Sequence, residues 1–600
     1  MTNEKSTDIQ EASRNNSVET GANDNDSTIS GSSSLRRHLT TGTHRSALSR
    51  YSTNRSNRSN RSREHHVFVP SFPDNASVYQ GDSSEEEDDD DEIEGEEITG
   101  IGSLEDPEKG LPGKSRLSLQ RTKSSRRSAR DPRLVTWDGP DDPENPKNWT
   151  TGKKWAAVCT VSCFTFISPV SSSLVAPAIE TISKDFGVTN LVVAELMMSI
   201  FVLAYAIGPL FLGPLSEVYG RVIVLQVANL WFLAFNIGCG FAQNVGQMIA
   251  FRFLAGLGGS APLAIGGGVL SDCFKAEERG KSVAMYSLAP LLGPAIGPIA
   301  GSWITEKTSW RWGFHAVSIA DVVVQAGGLF LLQETYAPKL LKWKAQKIRK
   351  ETGDENYYTE VEKLQQSLFT ILRTSIIRPF ILIATQPIVQ VLALYMAYVY
   401  GLMYLMLSSF PRLWTSSEYY GESIGIGGLN YISLGLGFFV ASNVGSQVTD
   451  MFYRRLKAKS PDGMGKPEYR LPLLFGSALL IPIGLFIYGW TAQYRTHWIG
   501  PNIGAFLVAA GVIPGFQGTQ TYIIDAYTRY AASAVAAMAF LRSLAGFGFP
   551  LFSPYMYDAL HYGWGNSLLG FVALAIGCPA PFLLWKYGEI LRKKSTFAAG

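Results

Sequence analysis

The chain has 600 residues, of which 46% are apolar, 12% aromatic and only 17% charged. That balance excludes an ordinary soluble globular protein, and the five cysteines suggest neither a disulfide framework nor a metal-ligand spacing. The net charge of +2 hides opposed blocks of charge, so where the charges lie carries more than their sum.

Residues 1–150 hold no long apolar run and are rich in Ser, Arg, Asn and acids, so they are expected to form a disordered cytoplasmic tail. Arg36 to Arg63 carries eight arginines and no acid, and EEEDDDDEIEGEE, Glu85 to Glu97, reverses the sign. The simpler reading is a solvated tail. The sharper one is regulatory, because arginines beside serines, as in RTKSSRRSAR, suit a basophilic kinase and anionic lipid. No cleavable signal peptide is expected, since the first apolar helix begins near Trp155.

From about Trp155 to Trp585 the apolar residues form runs of roughly 20, the length that crosses a hydrocarbon core of about 30 Å. Twelve membrane helices are expected, beginning near Trp155, Leu191, Val222, Met248, Val283, Gly313, Pro387, Ile424, Leu471, Trp498, Ala534 and Ser567. A charged insert containing KLLKWKAQKIRK separates the sixth from the seventh. The expected organisation is thus a tail (1–150), a six-helix bundle (151–334), a cytoplasmic loop (335–378) and a second six-helix bundle with a short cytoplasmic C-terminus (379–600). Lysines and arginines crowd the loops on one side, including KAEERGK, the insert and YRRLKAKSPDGMGKPEYR. The other side has scattered cations such as Lys184, Lys307, Arg412 and Arg495, so both termini are expected in the cytoplasm. The tail sequons at Asn54 and Asn148 would then stay unglycosylated.

A two-fold echo supports the six-plus-six division. GPLSEVYGR places Gly213, Glu217, Gly220 and Arg221 after the second helix, and SQVTDMFYR places Asp450 and Arg454 after the eighth, with arginine four residues beyond the acid both times. GPLSEVYGR resembles the loop signature of the major facilitator superfamily, whose halves are parallel repeats. The resemblance implies that Glu217 and Arg221 join a charge relay holding the cytoplasmic gate shut. RFLAGLGGS, from Arg252, resembles the family's fourth-helix signature, which implies a part for Arg252 in proton coupling. GPAIGPIAG resembles the fifth-helix signature of drug-proton antiporters. There Gly293, Gly297 and Gly301 lie along one helix face and Pro294 and Pro298 allow a bend, which implies a flexible, leak-tight seam between the halves.

Carboxyl groups inside membrane helices are functional candidates by default. Glu195 and Asp321 are expected to reach the central cavity and titrate, or else to pair with Arg252 or Arg542. Asp525, near the inner end of the tenth helix, is expected to make a gate pair with Arg529 or with helix ends. The substrate cavity is expected to draw on Gln390, Tyr395, Tyr398, Tyr404, Gln517, Gln520 and Tyr522, with Tyr400 and Phe516 nearby.

The order WDGPDDPENPKNW, ISPVSSSLVAPAI, SWRWGFH, YGLMYL, PEYRLP and YIIDAY extends the resemblance over about Val135 to Trp585. It is closest to the fungal twelve-helix drug-proton antiporters, and within them to polyamine and multidrug exporters of the yeast plasma membrane. That implies an all-α plasma-membrane exporter of polyamines or drug-like compounds, working as a monomer in the bilayer. A nutrient importer on the same fold and a non-transporting sensor signalling through the tail are the rivals. No GxxxxGK[ST] loop is present, so ATP driving is not expected; nor are an enzyme activity, a cofactor, a metal or a nucleic-acid partner.

Overall fold

A computed structural model describes residues 131–275, 278–363, 367–460 and 465–598. The basic and acidic blocks of the tail, its kinase sites and the sequon at Asn54 lie outside the described residues. Among the described residues, twelve helical spans are long and apolar enough to cross a membrane, with Leu368–Thr385 counted among them and Thr528–Lys594 counted as one. In chain order the helices begin with α1 (Thr151–Leu174), α2 (Leu191–Tyr219), α3 (Arg221–Gly240) and α4 (Val245–Cys273, broken at Ser260). Next come α5 (Arg279–Lys307), α6 (Trp310–Leu331), α7 (Ala337–Thr352), α8 (Leu368–Thr385), α9 (Pro387–Thr415) and α10 (Ile424–Ala458). The chain ends with α11 (Pro472–Gln493), α12 (Ile499–Ala526), α13 (531–560), α14 (562–577) and α15 (Pro579–Lys594).

Helix starts follow local chemistry. The Asn190 carboxamide oxygen accepts from the N–H groups of Val192 and Val193, Asn244 does the same for Gln247, and Pro387 opens α9 where no N–H is needed. Outward faces stay apolar: Phe330 is 84% exposed and Val323 70%, a surface that only lipid can cover.

α13 and α14 are one continuous 47-residue helical run interrupted only at His561, whose φ of 53° is not helical. Forty-seven residues in line would span about 70 Å, far beyond a bilayer. The chain instead reverses: Tyr557 and Asn566, nine residues apart, hydrogen-bond at 3.2 Å, and the rings of Tyr557 and Tyr562 stack. Two crossings result, near the expected starts at Ala534 and Ser567.

The insert between the halves is not a plain loop. α7 is amphipathic, and α8 is apolar but keeps to one end of the bundle. Arg378 stacks over Tyr530 at the start of α13, Phe380 packs on Phe540, and Gln386 just after α8 bonds Ser595 beyond α15.

Residues 131–149, expected within the disordered tail, are docked on this insert. Leu134 bridges Tyr358, and Lys344 of α7 reaches the carboxylates of Asp138 (2.8 Å) and Asp142 (3.1 Å). Burial works to raise the Asp142 carboxyl, but the N–H groups of Asp138 and Glu144 and the Lys344 ammonium outweigh it and hold it below its ordinary value. Burial likewise opposes the Lys344 charge, and its two carboxylate partners still raise it. A lowered acid stabilises above its unfolded value of about 4 and fails as pH falls; a raised lysine stabilises below about 10.4 and fails as pH rises. Docking should therefore persist between those limits. Asp142→Asn at neutral pH should cost about 1–3 kcal/mol and speed amide exchange over 137–149 without changing the membrane helices.

The first six crossings pack together through α1–α5, α2–α4, α3–α4 and α3–α6, the last six through α9–α13, α10–α12, α11–α12 and α11–α14 contacts. The halves meet through α2 with α13 and α5 with α10, the equivalent pairs of a two-fold arrangement. One apolar cluster joins them. Its first-half members, such as Val175, Ile182, Met197 and Trp310, all come from the end away from Arg221. At the Arg221 end the first half keeps a cluster of its own, around Val161, Leu225 and Leu270.

Candidate functional site

Between the halves, toward the Arg221 end, lies a cavity of about 170 Å³. α1, α2, α4 and α5 contribute Pro169, Tyr205, Leu263, Tyr286 and Pro294, and α9, α10, α12 and α13 contribute Tyr400, Tyr404, Phe438, Gln517 and Arg542 among others. Its walls are stiff because their polar tips are tied. Tyr205 bonds Ser168 at 2.6 Å, Tyr286 donates to the Pro262 carbonyl, and Tyr404 meets Ser172 across the halves at 3.3 Å. Of the residues expected to form the cavity, Tyr404, Gln517 and Gln520 do so, with Tyr400 and Phe516.

The others do not. Gln390 is exposed and turns back to the Ala384 carbonyl. Tyr395 bonds Ser477, Tyr398 donates to the Leu569 carbonyl and Tyr522 to Glu468, all inside the second half. Helix geometry explains the split, since Tyr398 and Tyr400 are two positions apart and point to different faces. Tyr205, Tyr286 and Arg542 were not expected as lining. Arg542 had a visible signal, a lone charge in an apolar run.

Neither candidate acid reaches the cavity. Glu195 lies at the opposite, closed end, where Ser408 and Arg412 of α9 act on it and one of its carboxyl oxygens is buried with no hydrogen-bond partner. Asp321 is fully buried between α3 and α6, and accepts from the Asn229 amide at 3.1 and 3.2 Å. Asn229 also donates to Gln325, which reaches Gln226, a polar strip within the first half.

Arg252 pairs with neither acid. Its guanidinium donates to the carbonyls of Ser171 (2.7 Å) and Ser172 (2.8 Å) on α1 and of Met197 (3.1 Å) and Met198 (3.4 Å) on α2, and lies over the Phe201 ring. α1 stops at Leu174 and passes through a 3-10 turn at Ala176–Ala178, where Pro177 has no N–H to give. The carbonyls left at that helix end attract a cation.

At the Arg221 end the charges group differently from the expected relay. Glu217 is exposed and has no ion-pair partner within 4 Å among the described residues; Arg221 instead binds Asp272, at the end of α4, at 3.3 Å. Gly220 turns with a φ of +98°, which glycine tolerates, and the Glu334 carboxylate then caps α3 by accepting from the N–H groups of Arg221 and Val222. In the second half Arg470, not Arg454, holds the equivalent place. It binds Asp525 at 2.9 Å and Asp450 at 3.7 Å, while Arg454 stays exposed. Each half thus clamps the start of its third crossing to the end of its fourth, Arg221 to Asp272 and Arg470 to Asp525. Arg221 stacks over Tyr336 and Arg470 over Tyr453. Asp272, Glu334 and Arg470 were missed because their partners lie 51, 113 and 55 residues away.

The glycine face of GPAIGPIAG packs within the first half rather than between halves. A methyl group at Gly293 would stand 2.6 Å from Pro169 Cβ, one at Gly297 2.6 Å from the Val170 carbonyl oxygen, and one at Gly301 would strike the Leu174 carbonyl. α5 and α1 therefore touch backbone to backbone. The seam with α10 uses another face: Ala295 against Gly435, Ser302 against Gly428, and Glu306 accepting from the Gly425 N–H. Pro294 lines the cavity, and the Pro298 carbonyl accepts from Ser302.

Residues 161–550 match the profile of the Major Facilitator Superfamily. The chain belongs to that superfamily. This facilitator is 54% identical over 471 residues to Efflux pump vrtL of Penicillium aethiopicum, covering 78% of this chain and 92% of that one. It is 44% identical over 468 residues to Efflux pump radE of Floropilus chiversii, covering 78% and 86%. Its fold resembles that of the xylose transporter XylE from E. coli in a partially occluded inward open conformation, with a TM-score of 0.54 at 16% identity over 73% of this chain and 98% of that one. The facilitator is a multi-pass membrane exporter of small molecules and not an enzyme.

Proposed function

We propose that the protein exports organic compounds across the plasma membrane in exchange for protons, by rocking its two six-helix halves about the central cavity. The observation that carries this reading is the asymmetry along the bundle: one apolar cluster joins the halves at the Glu195 end, and the cavity lies toward the Arg221 end. That is the shape of a carrier ready to load from one side. The crowding of lysine and arginine at the Arg221 end supports a cytoplasmic assignment for that end and for both termini. Of the cargo classes in view, polyamines and drug-like compounds, the cavity suits the second, because no carboxylate is among its lining residues.

Asp321 and Glu195 are the proposed proton sites, as buried acids without an ion-pair partner among the described residues. Arg252 is a fixed charge that ties the end of α1 to the first turns of α2. Asp321→Asn or Glu195→Gln should cut pH-gradient-stimulated export at least about tenfold while leaving substrate counterflow, which needs no net proton movement. Full gradient stimulation in both variants would overturn the assignment.

A further inference from the structure

Arg542 is the one charged residue among those lining the cavity. Its guanidinium lies 5.3 Å from the Tyr400 ring and 4.8 Å from the Phe516 ring, and its Nε is buried with no hydrogen-bond partner. No carboxylate lies within ion-pair range of it among the described residues. Arginine keeps its proton, so the cavity carries a permanent positive charge in a low-dielectric setting. Arg252, fully buried, has four carbonyl acceptors; Arg542, only partly buried as a residue, has no such acceptor among the described residues. Beside it, Gln517 is fixed by its amide nitrogen to Ser442, and its carboxamide oxygen is also buried without a partner. A cation and an acceptor thus stand unanswered on one wall, between aromatic planes.

We infer that the cavity takes acidic aromatic compounds, with Arg542 as counter-charge to a carboxylate or phenolate, Tyr400 and Phe516 as the planes against which the ring lies, and Gln517 accepting from a hydroxyl. A guanidinium already resting on aromatic faces keeps its N–H edge for an anion, so ring stacking and charge pairing are satisfied together. Cations are disfavoured by the same charge. At about 170 Å³ the space is below the ~300 Å³ of usual ligand pockets, which fits a compound of one or two fused rings. The inference rests on the cavity being the transport site, but not on proton coupling.

The test uses the full-length protein in nanodiscs with three probes, 2-naphthoate, its neutral isostere 2-naphthamide, and spermidine, measured by isothermal titration. The wild type is expected to bind the carboxylate at least about tenfold more tightly than the amide, and spermidine more weakly than either. Arg542→Gln should bring carboxylate and amide to within about threefold of each other, and Arg542→Lys should keep part of the gap. Thermal melting of each variant checks the fold independently. Equal affinity for carboxylate and amide in the wild type, preference for spermidine, or a gap that survives Arg542→Gln would each overturn the inference. In liposomes, naphthoate export that ignores the pH gradient would defeat proton coupling and leave the anion site standing.

Discussion

Arg252→Met is expected to abolish transport and to lower the stability of the purified protein by about 3–5 kcal/mol. Methionine can fill the space over Phe201, yet it offers no donor to the carbonyls of Ser171, Ser172, Met197 and Met198. Those groups sit in the closed end of the bundle, away from water. The Ser171 and Ser172 carbonyls, in the last turn of α1, are left unmet at about 1–3 kcal/mol each, whereas those of Met197 and Met198 keep their partners inside α2 and lose only a second donor. The end of α1 and the first turns of α2 would separate, and with them the apolar cluster that shuts that end, to which Val175 and Met197 belong. Arg252→Lys should fall between, since a point charge cannot fan out to four acceptors. Thermal melting in detergent decides it: a lysine variant as stable as the wild type would remove the carbonyl fan as the reason for the arginine.

Gly297→Val is expected to have the next largest effect. Its Cβ would lie 2.6 Å from the Val170 carbonyl oxygen and closer still to Ser173 Oγ. Backbone cannot yield as a side-chain tip can, so α1 and α5 must part, at about 1–3 kcal/mol or more. Pro169 on α1 and Pro294 on α5 both line the cavity, so its shape changes as well and export should fall at least about tenfold. Gly267→Ala on α4, with nothing within 4 Å of its added methyl, serves as the control and should be neutral or stabilising by up to about 1 kcal/mol. Parallel losses in both variants, seen by melting and flux, would contradict this packing account.

Much of the fold was legible because membrane helices announce themselves by length and apolarity, whatever their partners. Even the reversal between α13 and α14 left the expected starts nearly unchanged. The site was legible only where chemistry is local. Gly220 and Arg221 are neighbours in sequence, and their motif was visible. Their partners Asp272 and Glu334 come from other helices, and only tertiary packing brings them there. The apparent repeat between Arg221 and Arg454 misled for a related reason. A spacing of four residues is cheap to match, whereas the structural equivalent, Arg470, is fixed by its place at the start of α11. Aromatics of α9 were visible as a group, but which of them face the cavity depends on how the helix is rotated against α12, α13 and α14. Segment 131–149 looked like tail because polar residues docked by two aspartates and a lysine resemble solvated chain.

The most direct measurement is export of a fluorescent aromatic carboxylate from liposomes holding the purified full-length protein, oriented with the Arg221 end facing the cargo. With a proton gradient imposed against the cargo, accumulation should exceed the cargo's equilibrium distribution; each proton supplies about 2.3 kcal/mol per 100 mV, more than a tenfold gradient. Collapsing that gradient with a protonophore should return the cargo to equilibrium. Accumulation unchanged by the collapse would contradict a carrier driven by protons through two rocking halves.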